Sequence, residues 1–139
     1  MEIFDPATPY YSSDDSRILS LIKLIRDGIK FDAFLSFANK IPFTIAEWSG
    51  FLHISLRTMQ RYQKENLLFD PLQSEKIVEI ALLHKKGTEV FGNADKFNLW
   101  VDTVNLALGN IKPKSMLDSS FGINLIKDEL GRIEYGILS

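Results

Sequence analysis

The chain has 139 residues, 45% of them hydrophobic, a formal net charge of −2 and no cysteine. That length suits one compact domain or two small helical modules sharing a core, and the missing cysteines exclude disulfides, thiolate zinc sites and cysteine nucleophiles together. No apolar run reaches the roughly 20 residues that cross a bilayer, and Met1 to Pro6 has neither the basic flank nor the apolar core of a secretion signal, so a cytoplasmic location is expected.

In chain order, residues 1–15 carry Pro6, Pro9, Ser12, Ser13, Asp14 and Asp15, a composition suited to a flexible arm. Ile18, Leu21, Ile22 and Ile25 then fall on one face of a helix from Ser16 to Asp27, with Gly28 as its stop. A second helix reads from Phe31 to Asn39, and Pro42 follows it. Thr44 and Glu47 have the spacing of a capping box, which opens a third helix that Gly50 is expected to break after Ser49. Ser55 is a good N-cap for a fourth, running to Lys64. Asp70-Pro71 starts a long helix that reaches Phe91, where Gly92 ends it. The spacing predicts one further helix over Asp95–Leu108, with Phe97, Trp100 and Val104 inward, then a short turn over Lys114–Leu117. A last helix covers Ser120–Tyr135, its seam being Ile123, Ile126, Leu130, Ile133 and Ile137. No strand signal competes, so the fold class is all-α.

Residues 42–61 carry the first functional signal. Ala46, Gly50, Leu56 and Met59 have the spacing of a helix-turn-helix, in which a small residue sits at the helix crossing, glycine at the turn, and apolar residues six and nine positions on hold the second helix. The outward face of that helix would then present Ser55, Arg57, Thr58, Gln60 and Arg61. Arginine can pair with guanine, glutamine with adenine, and hydroxyls with phosphate. The acidic sequence pI of about 5.7 opposes nonspecific nucleic-acid binding by the whole chain. From Trp48 to Lys64, however, there is no acid, while His53, Arg57, Arg61 and Lys64 are all present. A packed hairpin with a solvated polar face would look the same.

Several residues read as structural. Trp100 belongs to an apolar face, and Phe121 with Gly122 marks close packing where the last helix begins. Glu75 and Glu79 lie opposite the apolar face, and His84-Lys85-Lys86 reads as a solvated patch. Arg132 has Asp128 as an i,i+4 partner. No catalytic constellation is present: there is no paired-histidine metal motif and no glycine-rich phosphate loop, and His53 and His84 stand far apart in sequence. No enzyme activity, metal or cofactor is expected.

The blocks beyond the hairpin carry a resemblance. His53 to Tyr62, Leu72 to Ile77, Val90-Phe91-Gly92, Phe97 to Leu108 with Trp100, Pro113 to Gly122 and Leu130 to Gly136 follow in the order and spacing of the Xre/MbcA/ParS antitoxin family, which this chain resembles over residues 43–136. The chain departs from the family pattern at Val101, Lys76 and Tyr62, the last standing where a second basic residue often follows Arg61.

The resemblance implies an Xre-like helical bundle with a helix-turn-helix (residues 16–70) followed by a small helical toxin-binding and dimerisation domain (71–139). It implies an antitoxin of a type II toxin–antitoxin system, homodimeric, that neutralises a RES-domain toxin consuming NAD by occluding its active site, and that represses its own operon by binding operator DNA. Arg132, Glu134, Tyr135, Ile137 and Leu138 are then the expected toxin contacts. The hairpin alone would equally fit a stand-alone transcriptional regulator without a toxin.

Overall fold

The computed structural model describes residues 15–136. Seven α-helices follow one another: α1 (Asp15–Asp27), α2 (Phe31–Ala38), α3 (Ile45–Phe51), α4 (Leu56–Glu65), α5 (Pro71–Phe91), α6 (Ala94–Val101) and α7 (Ser120–Glu134), with 3-10 turns at Leu106–Leu108 and Pro113–Met116 before the last. Among the described residues there is no sheet, only isolated bridges at Lys30–Leu68 and Asn105–Ile111. The expected arm at 1–15 lies almost wholly outside the described residues.

Local chemistry accounts for most helix boundaries. Thr44 and Glu47 form their capping box, as do Asp70 and Gln73 ahead of Pro71, each satisfying backbone N–H groups that a helix start leaves without partners. Ser55 caps α4, Ser119 caps α7, and Gly92 closes α5 with φ 91°.

The long helix α5 is the axis of the molecule, and α1, α6 and α7 all pack against it. Its approach to α6 depends on Gly87: a Cβ there would lie 2.1 Å from the Phe97 ring. Gly122 plays the same part for α7, since a Cβ would lie 1.8 Å from the Met116 carbonyl oxygen. Backbone cannot yield as a side chain can, so the start of α7 is seated hard on the preceding turn. On the other side, Phe31, Phe34, Phe37, Trp48 and Phe69 are buried together. The turn between α1 and α2 is stitched to the strand-like segment after α4: Phe69 N–H donates to the Ile29 carbonyl at 2.8 Å, and Ile29 N–H to the buried Ser74 hydroxyl at 3.1 Å.

Several expectations change. The helix predicted over Asp95–Leu108 ends at Val101, because Asn105 folds the chain back. Its N–H donates to the Ile111 carbonyl at 2.9 Å, and its side chain accepts from Ala107 N–H at 2.8 Å. Side chains of this kind compete with helical backbone bonding, and Val104 is left exposed. In α1, Leu21, Leu24 and Ile25 pack on the core while Ile18 and Ile22 are exposed. Lys85 and Lys86 are buried rather than solvated. Phe121, expected to be packed, points into solvent.

His84 also leaves the expected patch. Its ring lies 6.1 Å from Phe37 and 5.6 Å from Phe97, with Nε2 3.3 Å from Asn98 Oδ1. Burial pushes its pKa below the ordinary 6.5; the Asn98 bond opposes that shift and Lys40 adds to it. In the unfolded chain the ring takes a proton first as the pH falls, so the unfolded state binds more protons and is favoured. Folding stability is therefore expected to fall as the pH drops below about 6.5, and His84→Gln to flatten that slope, read from urea midpoints between about pH 7.5 and 5. Equal slopes in parent and variant would contradict the assignment.

Candidate nucleic-acid interface and partner surface

The hairpin of α3 and α4 is present, three residues out of the register expected for it. Gly50 is inside α3 and exposed, with open space where a Cβ would stand, and Ala46 is exposed as well. The left-handed turn residue is His53, with φ 57°. Counted from His53, the small buried residue four positions back is Ser49, and the residues six and nine positions on are Met59 and Tyr62. Met59 is fully buried and Tyr62 packs against the core, whereas Leu56 is 43% exposed. Glycine is the usual occupant of a positive φ, so spacing alone favours Gly50 as the turn. Histidine is among the few other residues enriched there. A shift of three is nearly one helical turn, so both registers turn similar residues inward.

With that register, α4 exposes Arg57, Gln60, Arg61 and Lys64, spaced three, one and three residues apart and so lying along one face. Lys64 was missing from the predicted set, although its place seven residues beyond Arg57 was the available signal. The Ser55 hydroxyl accepts from Thr58 N–H at 3.0 Å and donates to Thr58 Oγ1 at 2.9 Å. Ser55 is therefore committed to capping, and the hydroxyl hydrogen left over is that of Thr58. The Arg61 guanidinium lies 5.5 Å from the centre of the Tyr62 ring, a cation–π contact that restrains it without neutralising it. The side chains of Arg57 and Gln60 are exposed on the outer face of α4. Apart from Glu65 at the end of α4, the nearby acids lie off this helix: Asp70, Glu75, Glu79 and Asp118 line an open groove of ≈ 660 Å³ beside the turn. The acidic whole-chain charge is thus compatible with a basic face on α4.

The second surface is the end of α7. Arg132 Nη1 donates to Glu129 Oε2 at 3.1 Å, not to Asp128 as spacing alone suggested. Glu134 accepts from the buried Lys86 Nζ at 2.8 Å, which fastens this end of α7 to α5. Tyr135 is 79% exposed. Lys86, Lys127, Asp128, Arg132, Glu134 and Tyr135 border an open groove of ≈ 410 Å³ here. The structure thus brings Arg132, Glu134 and Tyr135 together; Ile137 and Leu138 lie outside the described residues.

Two contacts join the hairpin to the segment leading into α7. His53 Nε2 is 2.6 Å from the Asp118 carbonyl oxygen. Lys114 Nζ bridges Glu47 Oε2 at 2.8 Å and Asp102 Oδ1 at 2.7 Å. The bond to Asp102, and after it the bond to Glu47, raises the Lys114 pKa. Partial burial pushes the Glu47 carboxyl upward, but Lys114 and the Thr44 N–H outweigh it and the net direction is down. The Lys114 bond is likewise the main cause that lowers Asp102. All three groups therefore hold their charges across the neutral range.

Among the described residues no group of three or more His, Asp or Glu is placed to hold a metal ion, and no helix is long and apolar enough to cross a membrane. The arrangement offers binding faces: a basic helix exposed for a polyanion, and a polar and aromatic helix end.

Comparison with known proteins matches two parts of the chain. Residues 20–82 match the antitoxin Xre-like helix-turn-helix domain, and residues 86–136 match the antitoxin Xre/MbcA/ParS C-terminal toxin-binding domain. A protein of Yersinia enterocolitica named Antitoxin Xre is 27% identical, the match covering 89% of this chain and 84% of the relative. Another of that name from Photorhabdus laumondii is 29% identical, covering 71% of this chain and 76% of the relative.

Proposed function

The chain belongs to the Xre/MbcA/ParS-like antitoxin family, and from that premise we propose that it neutralises a RES-type, NAD-consuming toxin by occluding its active site and represses its own operon through the helix-turn-helix. As a type II antitoxin it has one region of each kind, and the observation that carries the finer reading is their physical distinctness. The basic face of α4 and the groove at the end of α7 are built from different helices and different chemistry.

Occlusion asks for no reaction by the antitoxin, only for contacts that fill and shield a partner's pocket. Arginine and tyrosine suit that task, because they bring large contact area together with hydrogen-bonding capacity. Arg132 and Tyr135 are exposed at the end of α7, while the Lys86–Glu134 pair holds that end in place before a partner arrives. Preorganisation of this kind reduces the ordering cost of binding. The tail residues Ile137 and Leu138 would continue the same contact. Action on an operon places the protein in the cytoplasm, and a homodimer would present two α4 helices to the two halves of a palindromic operator.

The direct test is co-expression with the reading frame beside this gene. The neighbour alone is expected to arrest growth and deplete NAD, and the full chain to restore both. A chain lacking residues 135–139, which keeps Glu134 on Lys86, is expected to remain folded and to lose protection. A harmless neighbour, or full protection by the shortened chain, would end the occlusion reading. If the neighbour is harmless and operator binding persists, the protein is instead a stand-alone regulator.

A further inference from the structure

Helix α7 carries two seams. Ile123, Ile126 and Leu130 form the inward one and are buried against the rest of the fold. The outward one is Phe121, Leu125, Asp128, Arg132 and Tyr135, which step by four, three, four and three residues and so lie in one row. At about 1.5 Å per residue this row runs for roughly 21 Å. Phe121 is 91% exposed, the highest value among the exposed large hydrophobic residues, and Leu125 is exposed one turn beyond it. Nothing in the fold needs a phenylalanine there: the close packing at the start of α7 is made by Gly122.

We propose that the whole outward row of α7, anchored at its start by Phe121, is a toxin contact, so that the toxin is gripped along four turns of helix and not only at the C-terminal tail. This rests on the reading of the chain as an antitoxin. Two observations choose the toxin as occupant. The row is continuous with Arg132 and Tyr135, and the matched toxin-binding domain contains all of it, since that domain ends at residue 136. Charge order also disfavours a second copy. Two such rows paired antiparallel about a twofold axis would set Phe121 against Tyr135, but at the cost of Asp128 against Asp128 and Leu125 against Arg132, placing like charges together at the axis and an apolar group against a cation. The complementary surface on the toxin is an apolar cup for Phe121 and Leu125, followed by a cation facing Asp128 and a carboxylate within reach of Arg132. Arg132 spends one nitrogen on Glu129 and remains half exposed, with donors to spare.

The test measures affinity of the full chain for the protein encoded by the adjacent reading frame, comparing the parent, Phe121→Asp and Leu106→Asp. Leu106 is a control, since it is 84% exposed on the 3-10 turn outside the row. Phe121→Asp is expected to weaken binding about thirtyfold or more, as loss of a buried aromatic anchor does, with an unchanged melting curve; Leu106→Asp is expected to bind like the parent. A parent that does not bind the neighbour at all overturns the antitoxin reading itself. If the parent binds and Phe121→Asp stays within twofold, the row is overturned while the antitoxin reading stands. If Phe121→Asp dissociates a dimer in light scattering and leaves toxin affinity intact, the occupant is a second copy and the proposal is wrong.

Discussion

Trp48→Ala is expected to cost about 3–5 kcal/mol of folding stability, the range for deleting a fully buried large aromatic side chain. Trp48 has no exposed surface, and four phenylalanine rings meet it edge-on: Phe34 at 5.0 Å, Phe51 at 5.7 Å, Phe43 at 5.8 Å and Phe37 at 5.9 Å. Those rings come from α2, α3 and the segment between them, so no single neighbour can move in to fill the hole. A domain of this size has only about 5–15 kcal/mol to lose, and the hairpin that presents α4 would go with it. Trp48→Phe is expected to be far milder. The indole N–H is buried with no hydrogen-bond partner among the described residues, and removing an unsatisfied donor offsets part of the lost volume. Denaturant unfolding followed by circular dichroism checks both. An alanine variant within about 1 kcal/mol of the parent would mean that this cluster does not support the hairpin.

Replacing Arg57 and Arg61 together by alanine is expected to abolish sequence-specific DNA binding. Each bidentate arginine contact to a base contributes about 1–3 kcal/mol of discrimination, so each single variant should lose roughly tenfold to a hundredfold in affinity. Both side chains are exposed on α4, so the fold should be indifferent to their loss. Of the two, Arg57→Ala is the cleaner experiment, because Arg61 also rests on the Tyr62 ring. Lys64→Ala should behave differently: a lysine on a phosphate carries no sequence information, so binding should weaken evenly and the salt slope should fall by about one. Titration of the promoter fragment over a range of salt concentrations separates these outcomes. A parent protein with no salt-dependent affinity for that fragment would end the proposal that it represses its operon.

How much of this was legible beforehand depends on the range of the interaction. Capping is local, and the Thr44–Glu47 box, the Asp70-Pro71 start, the Ser55 cap and the Gly92 stop all stood where their spacing placed them. The helix-turn-helix was also legible, but its register was not. The choice between Gly50 and His53 as the turn depends on whether Ser49 and Tyr62, or Ala46 and Leu56, face the core. The pattern of apolar residues is nearly the same either way. Helix α6 was overextended because the side chain of Asn105 and its bridge to Ile111 compete with helix, and propensity does not register a bridge. Among the candidate contacts, Arg57, Gln60 and Arg61 are exposed as expected, Ser55 is engaged in capping, and Lys64 joins them.

The amino-acid sequence by itself determined that this chain is helical, where most helices begin and end, and which family it resembles. These depend on neighbours within about four residues, or on blocks whose order is preserved. Only the tertiary structure decided which side of each helix is spent on the core. Phe121 faces solvent because Gly122 beside it already occupies the contact with Met116, and Lys86 is buried because Glu134, far along the chain, meets it. An apolar or charged residue carries the same hydropathy in either setting. Its burial is settled by partners brought together through folding, and a periodic pattern holds no record of their distance.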